Sequence, residues 1–338
     1  MAVEQSLSRS GATSPAIDVC GVVHRYGDRT ALDGVSFQIA AAGIFAFVGP
    51  NGGGKTTLFR LLSTLIPIQQ GDVSILGCRL PHEVQQVRRQ IGVVFQAASI
   101  DKKLTVEENL KHQGHLYGLR GAVLRERIDA MLASLSLGDR RRERCERLSG
   151  GLRRRVELAK GMLHRPRLLL LDEPSNALDP AARGDLWRYL EAIRSQGVTV
   201  VMTTHLLEEA DKADQMAILH QGRIVALDTP QALRGTIGGD AVTIDCVQPE
   251  QLAAEIAARF DTRPLVVDGQ IRLEEPGGHQ WVTKLVEAFP GRIDSITFAR
   301  PTLEDVFIAK TGHRYHADVN PNNSEQAAGA STAEAAHV

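Results

Sequence analysis

The stretch GPNGGGKTT, residues 49–57, holds four glycines, one lysine and two threonines in nine positions. It lies between two apolar runs, Ile44 to Val48 and Leu58 to Leu62. Glycine inside a regular element costs on the order of 1 kcal/mol relative to alanine, so a cluster of it needs a local reason.

The flanks supply the context. IFAFVG reads as a short buried strand, and TTLFRLLSTL has helical periodicity that Pro67 stops. Residues 49–56 therefore fit the pattern G-x-x-x-x-G-K-[ST] where it carries a mechanism, after a strand and opening a helix. A phosphate chain must come within hydrogen-bond reach of successive backbone N–H groups, and a Cβ there would hold it off. On this reading Gly49, Pro50, Asn51, Gly52, Gly53, Gly54, Lys55, Thr56 and Thr57 bind a nucleotide. Lys55 would place a point charge on the β- and γ-phosphates, and the Thr56 hydroxyl would face Mg²⁺. The loop alone leaves kinases, GTPases and motor ATPases open.

Two further stretches narrow the field. LLLLDEP, residues 168–174, is an apolar strand that ends abruptly in two carboxylates. Such a strand projects its acids at its C-terminal end, where ligands sit in open α/β sheets. Asp172 would hold Mg²⁺ through water, and Glu173 would orient and deprotonate an attacking water. LSGGLRRRVELAK, residues 148–160, begins a helix with a serine cap and two glycines. Its bare N–H groups form a second anion site in the same chain.

Composition is ordinary for a globular protein. The chain has 338 residues, 43% hydrophobic and 23% charged, enough for two domains with a substantial core. Its formal net charge of -1 gives no global field toward nucleic acid or an acidic membrane surface. Cys20, Cys78, Cys145 and Cys246 are scattered without metal or disulfide spacing, as in a reducing compartment. No run approaches the roughly 20 apolar residues a membrane-crossing helix needs. Residues 1–15 read as a disordered lead without signal-peptide features, and 316–338 as a polar tail.

Between these ends, strand and helix patterns alternate from 16 to 236, implying a mostly parallel sheet with helices on its faces. AIDVCGVVHRYG and GVSFQIAAAG read as an antiparallel pair, with Asp33-Gly34 as the turn into the second strand. The stretch at about 97–165 is all-helical and reads as an insertion between two strands. Residues 240–312 follow a strand-helix-strand-strand-helix-strand order, a ferredoxin-like α+β arrangement, closed by the helix TLEDVFIAK. DRRRERCER, residues 139–147, is basic but interspersed with glutamate, and reads as a solvated face rather than a nucleic-acid contact.

Taken together, these motifs resemble the ATP-binding subunit of an ATP-binding-cassette (ABC) transporter over roughly Ile17 to Leu233. The expected fold is a P-loop NTPase of the ABC type with an inserted helical subdomain, plus the small C-terminal α+β domain. The resemblance implies that GPNGGGKTT is the Walker A loop and LLLLDE the Walker B strand. LSGGL stands for the family signature, with Ser149, Gly150 and Gly151 on ATP and Leu152 in place of the usual glutamine. It implies that Gln96 is the Q-loop contact to magnesium and water, Asp179 the end of the D-loop, His205 the switch histidine, and Tyr26 the adenine platform.

The resemblance further implies ATP and Mg²⁺ as cofactors and head-to-tail pairing with a second nucleotide-binding domain, in a homodimer with two equal sites. A separate integral membrane permease would hold the chain on the cytoplasmic face of the membrane. IDKKLTVEENL and PTLEDVFIAKTG are similar to the antibiotic-resistance, daunorubicin-type exporter branch. The rival expectation is a soluble ABC ATPase acting on ribosomes or nucleic acid. Glu173 and His205 argue against a third, a non-hydrolysing regulatory subunit.

Overall fold

A computed structural model describes residues 14–237, 239–275 and 277–315. The expected lead and tail lie outside the described residues, apart from Ser14 and Pro15.

The chain opens with two long strands, β1 (Ile17–Tyr26) and β2 (Arg29–Ile39), paired antiparallel. Their turn is at Gly27 and Asp28, not at Asp33-Gly34 as the sequence suggested. That dipeptide lies within β2, where the register shifts and Gly34 takes φ 69°. Asp33 is held there by Arg223, which donates to its carboxylate at 2.8 Å. A turn dipeptide inside a strand marks an irregularity when tertiary pairing carries the strand through it.

β3 (Ile44–Val48) leads through the glycine loop into α1 (Lys55–Leu62). Next come β4 (Gln70–Ile75), β5 (Cys78–Leu80), α2 (Val84–Gln90) and β6 (Ile91–Val94). The helical insertion follows as α3 (Val106–Leu116), α4 (Gly121–Ser134) and α5 (Gly150–Met162). The chain then returns to the sheet through β7 (Leu168–Asp172), α6 (Pro180–Ser195), β8 (Thr199–Thr204), α7 (Leu207–Ala210), β9 (Gln215–His220) and β10 (Arg223–Asp228).

The main sheet has the order β10-β9-β3-β8-β7-β6, parallel throughout except for the β10 edge. β3, β7 and β8 are buried at every position, which is why β3 and β7 run apolar without alternation. A second, antiparallel sheet, β2-β1-β4-β5, packs its apolar face on the main sheet and α1, with Phe37, Phe45 and Phe47 in mutual ring contact. The other face of the main sheet shares a core with the helical insertion and α6.

α8 (Pro230–Gly235) connects to a second α+β module. It comprises β11 (Asp240–Asp245), α9 (Pro249–Phe260), β12 (Leu265–Val267), β13 (Gln270–Glu275), α10 (Gly278–Ala288) and β14 (Ser295–Ala299). Its antiparallel sheet has the order β12-β13-β11-β14 with its own apolar core, the ferredoxin-like arrangement. The last helix, α11 (Leu303–Thr311), was grouped with 240–312 by the sequence pattern. Its Leu303, Val306 and Phe307 instead enter the core of the main sheet, beside Ala226, Leu233 and Ile237.

Candidate nucleotide site

Loop 49–57 is shaped by close backbone packing. A Cβ on Gly49 would lie 2.1 Å from the Leu219 carbonyl of β9, and one on Gly53 2.9 Å from the same oxygen. Gly54 takes φ 108°, and a Cβ on it would meet the Ala31 carbonyl at 2.7 Å. These three glycines are thus required by the fold of the loop against β2 and β9, a reason the motif alone does not reveal. Gly52 at φ 78° needs glycine for its backbone conformation. The loop is also tied by Gly222 N–H to the Gly53 carbonyl at 2.9 Å. Gly54 is the N-cap of α1 and offers no side chain, so the first turn of the helix keeps its N–H groups available for an anion.

Lys55 is 4% exposed and folds its ammonium back to the Gly49 and Pro50 carbonyls, at 2.7 and 3.1 Å. Burial lowers its pKa, opposed by the charges of Glu173 and Asp172, which places the cation and both acids in one electrostatic field. Thr56 is exposed on the first turn of α1, whereas Thr57 is buried beneath it.

At the ends of the parallel strands, four of the expected residues meet. Asp172 closes β7, 6% exposed, and accepts a hydrogen bond from Thr203 Oγ1 of β8 at 2.6 Å. Burial raises its pKa. Glu173 follows in a left-handed conformation, φ 43°, with its N–H on the Thr203 carbonyl and hydroxyl, both at 3.1 Å. Its Oε2 accepts from Gln96 Nε2 at 3.1 Å and lies 3.3 Å from His205 Nδ1. The hydrogen bond to His205 lowers the Glu173 pKa and keeps the carboxylate charged. Two adjacent acids are thereby pushed in opposite directions, as neighbouring carboxylates with different roles require.

Ser149, Gly150, Gly151 and Asp179 gather at the neighbouring starts of α5 and α6. Ser149 Oγ caps α5 through Leu152 N–H, and Asp179 Oδ1 caps α6 through Ala182 N–H. A Cβ on Gly151 would lie 3.1 Å from Ala182 Cβ, so these two helix ends are in contact. Leu152 is half-buried against the main core, which accounts for an apolar residue where the family has glutamine. Tyr26 ends β1, 45% exposed, with its ring edge-on to His24 at 4.8 Å. Its strand partner Arg29 extends to the Gly52 carbonyl at 3.5 Å, which puts Tyr26 on the loop side of the antiparallel sheet.

Two residues that the sequence reading passed over organise this site. Thr203 holds Asp172 and the Glu173 backbone together, and a threonine closing an apolar strand carries no local mark of that role. Arg154, inside the run LRRR of α5, donates to the Phe95 carbonyl at 2.7 Å, the Pro174 carbonyl at 2.8 Å and the Asp172 carbonyl at 3.2 Å. It joins the signature helix to the residues next to Gln96 and Glu173. Nothing in the local sequence distinguishes it from its neighbours Arg153 and Arg155.

Known proteins similar to this chain identify its family. A family model described as "ABC transporter" matches residues 32–176. The chain is 36% identical over 300 residues to the daunorubicin resistance ATP-binding protein DrrA2 of Streptomyces coeruleorubidus, covering 86% of this chain and 93% of that protein. It is 34% identical over 308 residues to the Nod factor export ATP-binding protein I of Rhizobium johnstonii, covering 90% and 98%. A solved ATP-binding subunit of an ABC transporter superposes with TM-score 0.60 at 28% identity, over 66% of this chain and 93% of its own. The dimeric cassette MJ0796, bound to ADP and phosphate, gives TM-score 0.57 at 26% identity, over 63% and 98%. The chain belongs to the ATP-binding subunits of ABC transporters, in the group of the daunorubicin-resistance and Nod-factor-export proteins, and is an ATPase.

Proposed function

We propose that this ATPase drives export through a separate integral membrane permease, by ATP-dependent head-to-tail pairing with a second nucleotide-binding domain, an identical copy in the simplest case. The observation that carries the reading is the division of the expected ATP contacts into two groups. Lys55, Gln96, Asp172, Glu173 and His205 converge at the strand ends, while Ser149 to Gly151 stand with Asp179 at the paired helix starts. Two copies facing each other would close one group over the other, and a two-fold interface of this kind makes two equal sites.

Within one site, residues 49–57 bind the phosphates and Tyr26 carries the base. Gln96 and His205 hold the Glu173 carboxylate charged and aimed, so that it orients a water and takes its proton. His205 and the partner's Ser149, Gly150 and Gly151 contact the γ-phosphate. Thr56, Asp172 and Gln96 would hold Mg²⁺, and the ion would neutralise charge on the phosphate oxygens. All three offer hard oxygen atoms, and among the described residues no group of three or more His, Cys, Asp or Glu side chains forms a metal cage. That suits an ion that keeps waters and substrate phosphates as ligands. Loss of the γ-phosphate removes the bridge between subunits, and the pair opens.

Among the described residues no helix is long and apolar enough to cross a membrane, so the permease is a second polypeptide in this reading. The helical insertion presents Leu116, 82% exposed, and Val123, 52% exposed, as apolar docking positions. Docked on a permease in this way, the chain would lie on the cytoplasmic face of the membrane. The relatives' names, daunorubicin resistance and Nod factor export, support outward transport. Against a nucleic-acid role, the 139–147 run is tied up by acids: Arg141 pairs with Glu107 and Asp129, Arg140 with Glu143, and Arg144 with Glu146.

The test is affinity purification from detergent-solubilised membranes, with ribosomes and nucleic acid assayed in the same eluate. Retention of a multi-span membrane protein, and ATP turnover lost in Lys55→Ala, is expected. Ribosomal retention without a membrane partner would contradict the export reading.

A further inference from the structure

The last described residue, Tyr315, reaches back from the C-terminal module into the nucleotide site. Its hydroxyl donates to the His205 backbone carbonyl at 2.9 Å. The Gly49 backbone also hydrogen-bonds the phenol oxygen, and the Glu173 charge is close enough to act on it. Tyr315 thus stands between the root of loop 49–57 and the histidine at the end of β8.

The ring is fixed from the other side. It packs edge-on against Phe307 of α11 at 5.0 Å, and Phe307 in turn meets His220 of β9 at 5.6 Å. α11 starts with a capping box in which Thr302 and Asp305 exchange hydrogen bonds. Asp305, 4% exposed, also pairs with Arg272 of β13, and the neighbouring Arg314 donates to Gln270 of the same strand. A chain of contacts, polar at β13 and aromatic at Phe307, therefore runs from the ferredoxin-like sheet through α11 to the His205 backbone.

We propose that Tyr315 is a positioning residue for ATP hydrolysis, holding His205 in register with loop 49–57 and linking that register to the C-terminal α+β module. The proposal rests on the reading of His205 as a γ-phosphate contact. Because the phenol binds the backbone of His205 and leaves its imidazole free for Glu173, it sets where the ring stands without entering the chemistry. A shift of the C-terminal sheet, through Arg272 and Gln270, changes that position. This gives the module a direct route to the turnover rate.

The experiment is steady-state ATP hydrolysis by the full-length chain and its Tyr315→Phe, Tyr315→Leu and His205→Ala variants. Tyr315→Phe keeps the ring packed on Phe307 and removes only the hydroxyl. A neutral hydrogen bond corresponds to about a two- to ten-fold effect. The expected result is a kcat reduced by that factor with KM for ATP essentially unchanged, and faster amide exchange at residues 204–207. A purely structural tyrosine would behave otherwise, since phenylalanine would then rescue the leucine variant to wild-type kcat. If His205→Ala abolishes turnover while Tyr315→Phe matches wild type, the positioning role is overturned and the site reading stands. Wild-type turnover in His205→Ala would remove both.

Discussion

Replacing Arg154 by methionine probes the join between the signature helix and the ends of β6 and β7. The guanidinium donates to three backbone carbonyls, those of Phe95, Pro174 and Asp172, at 2.7, 2.8 and 3.2 Å. Hydrogen bonds from a charged donor contribute about 1.5–3 kcal/mol each, and a buried carbonyl left without a donor costs about 1–3 kcal/mol. Burial lowers the Arg154 pKa, so the charge is held there against a desolvation penalty that methionine would relieve. The net expectation is a loss of about 3 kcal/mol of cassette stability. Turnover should fall further than stability, because Phe95 precedes Gln96 and Asp172 precedes Glu173. Urea unfolding followed by Trp187 fluorescence in a Trp281→Phe background isolates the cassette, since Trp187 lies in α6 and Trp281 in the C-terminal module. ATP hydrolysis is measured where both proteins are folded. A variant within 0.5 kcal/mol of wild type, about the scatter of surface substitutions, and with unchanged turnover would refute the join.

Other perturbations test separate links. Gly49→Ala places a Cβ 2.1 Å from the Leu219 carbonyl, a clash between two backbones that no rotamer relieves. It should cost about 2 kcal/mol or more and abolish ATP binding, and retained affinity in a nucleotide titration would show that the loop yields. His164 is stacked on Tyr117 with ring centroids 3.7 Å apart, and its Nε2 lies 2.9 Å from the Ile91 carbonyl. Burial lowers its pKa to about 4. Between the ordinary histidine value and pH 4 the unfolded chain binds a proton that the folded chain refuses, so stability falls as pH drops through that window. The loss is on the order of 3 kcal/mol, and His164→Gln should flatten the unfolding free energy between pH 7 and 4.5. Glu107 acts at lower pH, because its bond to Arg141 holds its carboxyl down at about 2, so the two effects separate in a pH titration of stability.

Much of the architecture was readable because it depends on local pattern. Buried strands β3 and β7 announce themselves as unbroken apolar runs, one ending in the glycine loop and the other in Asp172 and Glu173. The ferredoxin-like module was readable from alternation and turn chemistry. What escaped depends on contacts far apart in sequence. Gly49, Gly53 and Gly54 look like a phosphate cradle, yet the atoms that forbid a side chain there belong to Leu219 and Ala31. Asp33-Gly34 has turn chemistry, but pairing with β1 carries the strand through it. β4 and β5 gave no sign of joining β1 in a second sheet. Arg154 and Tyr315 do their work on backbone carbonyls, which any sequence offers, so no motif betrays them.

One measurement decides the central claim that two copies of this chain grip the same triphosphates. The mass of purified Glu173→Gln is determined by light scattering, with Mg²⁺ and excess ATP and without nucleotide. The expected result is a monomer without nucleotide and a doubled mass with ATP, abolished by the added substitution Ser149→Arg. A species that stays monomeric with ATP bound would contradict the shared site, and with it the proposed mechanism of transport.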